Sequence, residues 1–236
     1  MSPATKSPVS QSIVIAVDGT AASGKGTLAK KLAQHFGFAH LDSGALYRLA
    51  AFSVLEAKGN PQNEADALRG AQTIDFNLAG DPRIRTDIIG KAASHVAAIP
   101  AVRSALFDFQ KNFLTNPPGG GPGAVMDGRD IGTVICPTAT AKLYVDARVD
   151  MRARRRWAEL KAMGIRRAEQ DVVAELAARD AADKSRPIAP LKQAPDADLL
   201  DTSDLGIDAA FAAALALVSP KVAKVLQSAL KDRHRG

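Results

Sequence analysis

Nine residues, Gly19-Thr20-Ala21-Ala22-Ser23-Gly24-Lys25-Gly26-Thr27, carry the most specific chemistry in the chain. Gly19 and Gly24 let a loop wrap with its backbone N–H groups turned inward, and successive N–H groups of this kind form an anion-binding nest. Free N–H groups at the start of a following helix add partial positive charge. Lys25 adds a full charge suited to the β- and γ-phosphates of a nucleotide. The flanks have the form such a cradle needs. Ile13-Val14-Ile15-Ala16-Val17-Asp18 is an apolar, β-branched run of strand length, and Leu28, Ala29, Leu32 and Ala33 fall at helical spacing. The bland alternative is a glycine-rich turn that binds nothing, and a strand before it and a helix after it argue against that.

One position departs from the general P-loop. Where Ser or Thr directly after the lysine would reach Mg²⁺, this chain has Gly26, with Thr27 next. The Gly-Lys-Gly-Thr form is similar to the loop of nucleoside monophosphate kinases. That likeness implies that the triphosphate is carried in the same way and that the metal is held more by water and phosphate.

Three further clusters could act on a second ligand. Asp42-Ser43-Gly44 opens a helix expected over Ala45 to Lys58, with Asp42 or Ser43 as N-cap and Arg48 one turn on. Ser43, the free N–H groups and Arg48 make a second candidate phosphate or base site; a plain capping serine beside a solvated arginine is the alternative. Asp127-Gly128-Arg129-Asp130 ends the strand Ala124 to Asp127, and ligands of open α/β sheets bind at carboxyl ends of strands. Asp127, Arg129 and Asp130 should therefore point at the cleft shared with the P-loop, unless they only form an internal salt bridge. In the helix from about Glu169 to Arg186, Val172, Leu176, Arg179, Asp183 and Arg186 are spaced four, three, four, three and share one face. A core stripe that turns into Arg-Asp-Arg is leaving the core and entering a cleft, and Asp183 reaches both arginines. The alternative is a surface ion-pair ladder of small energetic worth.

The remaining chain supplies the scaffold. Strands are expected at Ala39 to Leu41, Ala141 to Asp146 and Ala197 to Thr202, in addition to those before the P-loop and before Asp127. Alternation over Thr73 to Leu78, a turn at Ala79 to Pro82 and a return run Ile84 to Ile88 predict a small β insertion within 62–90. Helices are expected over Asp87 to His95 and Val102 to Leu114, the latter with an apolar face at 102, 106, 109 and 113, and Ser94 and Arg103 lie in this region. From Asp150 the chain is helical and basic, with Arg152, Arg154, Arg155 and Arg156, then Gly164 and Arg166-Arg167. A solvated charged face is the ordinary meaning of such a run; a mobile cover that closes over phosphates is the other. A last helix is expected over Asp208 to Val218, followed by an amphipathic, basic tail at 220–236. Residues 1–12 read as a disordered leader.

Composition narrows the classes. The chain has 236 residues, is 46% hydrophobic and 24% charged, and carries a net charge of +6. That size and balance suit one large α/β domain with insertions, or two small ones. No apolar run approaches the roughly 18 residues of a membrane span. The single cysteine, Cys136, excludes an intrachain disulfide and suits a reducing cytoplasm. The four histidines are scattered, and no metal ligand set is expected. The excess positive charge fits nucleic acid in general terms, yet aromatics are only 5%, leaving few stacking platforms for a single strand, and a small anionic substrate explains the charge as well.

Taken together, the motifs resemble the bacterial cytidylate kinases. The matching pieces are Asp18-Gly19 through Thr27, Leu41-Asp42-Ser43-Gly44-Ala45-Leu46-Tyr47-Arg48, Ala92-Ala93-Ser94-His95-Val96-Ala97, Val102-Arg103, Asp127-Gly128-Arg129-Asp130-Ile131-Gly132-Thr133-Val134, and Arg179-Asp180 with Asp183, Arg186 and Ala189-Pro190-Leu191. They run in the family's order over residues 13 to about 205. The resemblance implies a P-loop fold with a five-stranded parallel sheet flanked by helices within 13–219. It also implies a monophosphate-binding insertion at about 60–95 and a lid at about 150–170. The implied reaction moves the γ-phosphoryl group of ATP, with Mg²⁺, to CMP or dCMP. By similarity, Ser94, Arg103, Asp130 and Arg186 read the cytosine, Arg179 and Asp183 meet the sugar hydroxyls, and Arg48 and Arg129 bind the monophosphate. Lys25, Arg129 and Arg179 are the candidate catalytic residues. Residues 19–27 hold the ATP phosphates, Ser43 joins the acceptor site, and lid arginines among 152, 154, 155 and 156 close on both nucleotides. The expected partners are these small nucleotides, with no nucleic acid and no membrane, and the expected form is a cytoplasmic monomer. Two rivals stand beside this reading. One is a kinase of the same fold for another nucleoside monophosphate. The other is a non-catalytic nucleotide-binding module that regulates a partner.

Overall fold

The computed structural model describes residues 12–233; of the expected leader only Ser12 falls within them, and the rest lies outside the described residues. Five strands form one parallel sheet: β1 (Ile13–Gly19), β2 (Ala39–Asp42), β3 (Gly123–Gly128), β4 (Ala141–Asp146) and β5 (Asp198–Asp201), in the order β2-β3-β1-β4-β5. Both faces of the sheet are covered, so β1 reads as an uninterrupted apolar run rather than an alternating one. Its odd residues Ile13, Ile15 and Val17 enter the core shared with α1 (Lys25–Phe36), while Val14 and Ala16 face Leu114, Met126 and Ile131 on the other side. β1 leads on towards one sheet edge and β3 towards the other. Their carboxyl ends therefore part and leave a crevice, where such sheets take ligands.

The helices follow the expected order with informative differences. α2 runs Ser43–Glu56 and α3 runs Glu64–Gln72. The β insertion expected within 62–90 is absent from the described residues. Thr73 to Leu78 and Ile84 to Ile88 instead form 3₁₀ turns at Phe76–Gly80 and Pro82–Arg85, followed by α4 (Asp87–Ala97). Asp75 and Asp81 each accept a backbone N–H two residues on, so local side-chain bonds set these turns where alternation suggested strands.

α5 (Pro100–Thr115) buries Val102 and Leu106 as its apolar pattern predicts, but the inner face then shifts by one residue from the expected 109 and 113 to 110 and 114. Val102, Arg103, Leu106, Gln110 and Leu114 are buried, whereas Phe109 is 39% exposed. Two polar residues on the inner face displaced the apparent hydrophobic stripe. α6 covers Val149–Ala162 and α7 covers Glu169–Ser185. The last helix, α8 (Ile207–Arg233), continues through Pro220 well past the expected end. Its stretch Ile207–Ser228, with mean hydropathy 1.6, is long and apolar enough to cross a membrane by length and composition, which corrects the expectation that no run approaches that length. Ala210, Ala214, Val218 and Val222 of that stretch pack into the core beside α1 and β4.

Candidate active site

The P-loop is held from behind by its own carbonyls. Thr20 O accepts from Ser23 Oγ (3.0 Å) and Lys25 Nζ (3.3 Å), Ala21 O from Arg152 Nη1 (3.1 Å), and Ser23 O from Thr202 Oγ1 (2.8 Å). Thr20 Oγ1 donates to Asp146 at the end of β4 (2.6 Å). A trans peptide aims its N–H opposite to its carbonyl, so tying carbonyls on one side turns amides to the other. Gly24 takes φ 88 as the N-cap of α1, and a Cβ at Gly19 would run into the Val145 carbonyl oxygen of β4. These glycines serve a left-handed turn and a close approach of strands, respectively.

All ten acceptor-side and catalytic residues nominated from sequence line one cleft of about 390 Å³: Lys25, Ser43, Arg48, Ser94, Arg103, Arg129, Asp130, Arg179, Asp183 and Arg186. From the loop itself Ala21, Ala22, Lys25 and Gly26 reach it, while Thr20 and Ser23 lie buried beneath. Eight basic and five acidic side chains line the cleft, so it is net positive.

Each cluster has a structural cause. Asp42, not Ser43, caps α2 by accepting from Ala45 N (3.1 Å); Ser43 Oγ instead donates to the Asp127 carbonyl (2.8 Å) and ties α2 to β3. The Asp18 carboxyl accepts backbone N–H groups from Ile131 (2.8 Å) and Gly132 (2.7 Å), which fixes the turn after β3 that presents Arg129 and Asp130. Burial pushes Asp18 up to about 7 despite those two donors. Arg129 Nε donates to Asp183 Oδ2 on α7 (2.8 Å), and Arg103 pairs with Asp130 in a buried contact that Arg186 approaches at 3.7 Å. Burial opposes the charge of Arg129, but the Asp183 carboxylate outweighs it and holds Arg129 above its ordinary value. Arg48 Nη1 donates to the Ile84 carbonyl (2.8 Å), and Ser94 Oγ to its own helix at Gly90 O (3.2 Å).

Lys25 and Arg179 are the cleft cations furthest short of counter-charge. Burial, followed by repulsion from Arg129, lowers Lys25 to about 7. Burial, with Arg129 and Arg48 adding to it, lowers Arg179 to about 10, and its buried Nε has no hydrogen-bond partner. A buried unpaired donor is costly, and an anion in the cleft removes that cost. Among the described residues no group of three His, Cys, Asp or Glu side chains could hold a metal. Asp127, bonded to His40 Nε2 (2.8 Å), is the carboxylate beside the loop: its Oδ2 lies 3.4 Å from where a Cβ on Gly26 would be.

The basic run of α6 does not act as one group. Arg152 and Arg155 do not line the cleft. Arg152 is bound to Ala147 O, Ala21 O and Asp180, and Arg155 to Thr202. Arg154 is 72% exposed on its side chain, and only Arg156 reaches the cleft. Arg156 and Arg167 both grip Asp87 of α4, at 2.7 and 3.0 Å. Sequence reasoning missed Tyr47 and Arg85, which also line the cleft. Tyr47 lies beneath Arg103, whose guanidinium is 5.8 Å from the ring centre. Its place one residue before Arg48 was the available signal.

Comparison with known proteins bears on the family. A family profile described as cytidylate kinase matches residues 15–219. The chain is 49% identical over 206 residues to a cytidylate kinase of Bradyrhizobium diazoefficiens, covering 87% of this chain and 95% of that protein. It is 48% identical over 212 residues to the cytidylate kinase of Rhodospirillum rubrum, covering 90% and 100%. It is 50% identical over 206 residues to that of Afipia carboxidovorans, covering 87% and 97%.

Proposed function

The chain belongs to the cytidylate kinase family, and from that premise we propose that it transfers the γ-phosphoryl group of ATP to CMP or dCMP, giving ADP and CDP or dCDP. The observation that carries the reading is the convergence of Lys25 and the P-loop with Arg129, Arg179 and Asp130 in a single net-positive cleft.

Phosphoryl transfer needs two anions held in line and charge stabilised as it spreads over the moving group. No general base is needed, because the attacking phosphate oxygen is already ionised. Loop amides and Lys25 hold the β- and γ-phosphates, and the phosphates restore the charge that burial withdraws from Lys25. Mg²⁺ would come with ATP as its complex and would supply charge neutralisation at the phosphate oxygens. The residues present suit that route, with Gly26 in place of a hydroxyl ligand and Asp127 as the neighbouring carboxylate. Arg48 and Arg129 receive the acceptor phosphate, Arg179 and Asp183 meet the sugar, and Lys25, Arg129 and Arg179 are the catalytic cations. Arg103, Asp130, Arg186 and Ser94 read the base, with Asp130 accepting from its amino group, and Ser43 shapes the floor between the two sites. We take about 60–95 as the monophosphate-binding insertion and about 150–170 as the lid. The Asp87 grip on Arg156 and Arg167 supports a lid that meets the insertion. The single, buried Cys136 suits a reducing cytoplasm, and we take the enzyme to act there as a monomer on free nucleotides.

The test is ADP release from Mg²⁺·ATP with CMP, dCMP, UMP, AMP, GMP or no acceptor. Turnover with CMP and dCMP well above the others is expected. Turnover with only another acceptor would overturn the base assignment, and nucleotide binding without turnover would favour a regulatory module.

A further inference from the structure

Arg152 opens the basic run of α6, yet it is buried to 4% exposure. Its Nε donates to the Ala147 carbonyl after β4 (2.7 Å), its Nη1 to the Ala21 carbonyl of the P-loop (3.1 Å), and its Nη2 meets Asp180 Oδ2 on α7 at 2.6 Å. One guanidinium thus joins three elements that converge on the cleft. Only a rigid fork of donors can serve three acceptors in fixed directions; an ammonium is a point charge.

The Ala21 contact has a stereochemical consequence. No peptide in the described chain is cis, so holding the Ala21 carbonyl points the Ala22 N–H the opposite way. Ala22 lines the cleft and sits at φ 58, a left-handed conformation that is unfavourable for a non-glycine residue. Such a conformation persists where its surroundings over-determine it. The Asp180 contact lies on the same turn of α7 as the acceptor-side residues: Asp180 directly follows Arg179 and precedes Asp183 by one helical turn. Asp180 Oδ1 is buried without a hydrogen-bond partner, so this carboxylate is anchored through Oδ2, by Arg152.

We propose that Arg152 is a positioning residue that couples the two substrate sites. It touches neither nucleotide. Through Ala21 it sets the direction of a P-loop amide, and through Asp180 it sets the turn of α7 that carries Arg179 and Asp183. ATP and the nucleoside monophosphate therefore bind with positive coupling, which is reciprocal by thermodynamic necessity. The proposal rests on the reading of α7 as part of the acceptor site.

Calorimetric titration with a non-hydrolysable ATP analogue, with and without CMP, tests it on the wild type and on Arg152→Lys, Arg152→Met and Asp180→Asn. The wild type should show coupling of about fivefold or more in both directions. Asp180→Asn should bind the analogue alone within about twofold of wild type and lose the coupling. Arg152→Met should also weaken the analogue by about tenfold, because the amide is no longer held. Should Arg152→Met fail to fold, Asp180→Asn and Arg152→Lys carry the test, and Arg152→Lys should retain less than half of the coupling. A purely structural arginine would lower the melting temperature of the variants and leave the coupling factor unchanged. That outcome, or uncoupled binding in the wild type, overturns the proposal. So does an Asp180→Asn protein that keeps its coupling while Arg152→Met loses ATP affinity, since the arginine would then act on the nucleotide itself. Wild-type turnover with CMP, measured alongside, separates the two levels. With turnover present and coupling absent only the role of Arg152 falls; without turnover the acceptor assignment falls and takes the coupling with it.

Discussion

The two sides of the cleft are built by opposite means. On the P-loop side, backbone carbonyls at Thr20, Ala21 and Ser23 are each tied down by a donor from behind, and the ligand-facing surface consists of amides. That arrangement is complete without a nucleotide. On the α7 side, positions are set by ion pairs, Arg129 with Asp183 and Arg103 with Asp130, and charge is left over. Arg179 keeps a buried Nε without a partner, and Arg48 is bonded only to carbonyls. One side is preorganised by hydrogen bonds to its backbone carbonyls; the other stores unneutralised cation and is completed by an anionic ligand. The first should tolerate changes of pH and salt, and the second should respond to them. Lys25 belongs to the first side by position and to the second by charge.

The sharpest way to break this contrast is Lys25→Met. It should cut turnover by about 10³–10⁵-fold, the scale of a lost transition-state cation, while the amide cradle still binds ATP. A folded variant with intact turnover would sink the assignment. Arg179→Met should reduce turnover with CMP by about 10²–10³-fold. Because its Nε is already unpartnered, the same change should leave the melting temperature of the ligand-free protein unchanged or higher. Arg103→Ala should do the reverse in kind. It strands Asp130 in a buried site and should cost about 3–5 kcal/mol of stability, read by denaturant titration. Equal stability losses in the Arg179 and Arg103 variants would erase the distinction between stored and paired charge.

Proton linkage sharpens the place of Lys25. In the free protein it loses its proton near pH 7, whereas bound phosphates favour the charged form. ATP affinity should therefore be flat below pH 7 and fall by up to about tenfold per pH unit above it, with a proton taken up on binding. Titrations in two buffers of different ionisation enthalpy read that proton. The sign for stability is opposite to that of a stabilised lysine. The unfolded chain holds this proton up to its ordinary value of 10.5 and the folded chain only to about 7, so stability rises across that window. Lys25→Met should lose that rise. The smallest expected effect is on stability: Asp42→Ala removes the cap of α2 and should cost about 1 kcal/mol, a shift of roughly 2–4 °C in melting temperature. The lost carboxylate also disfavours the charged form of Lys25.

Much of this was legible from local chemistry. Strand, loop and helix around Lys25 followed from residue types alone, as did the direction of Arg179 and Asp183 along one face of α7. Arg186, expected on the same helix, is the extended residue just past its end, and Asp183 bonds to Arg129 where the spacing had it holding Arg179 and Arg186. The errors share a cause. On α5 the apolar pattern pointed to Phe109 and Phe113, while the fold buries Arg103 and Gln110, because polar residues that serve or border the cleft occupy the inner face. At 73–88 the alternation was real, but Asp75 and Asp81 closed turns before any strand could pair. At 152–156 the spacing left a solvated face and a closing cover both open, and only the fold separates the members: Arg152 and Arg155 are fastened to carbonyls, and Arg156 opens to the cleft.

What the sequence determined by itself was the set of local conformations and the identity of the groups that meet phosphate. Period, caps and glycines act over a few residues, and their physics is complete within that span. Which charges are paired, which are left over and which way each lysine or arginine shifts was decided only by the tertiary structure. Burial and pairing depend on what comes close from elsewhere in the chain: Asp183 to Arg129 across fifty-four positions, Arg152 to Ala21 across one hundred and thirty-one.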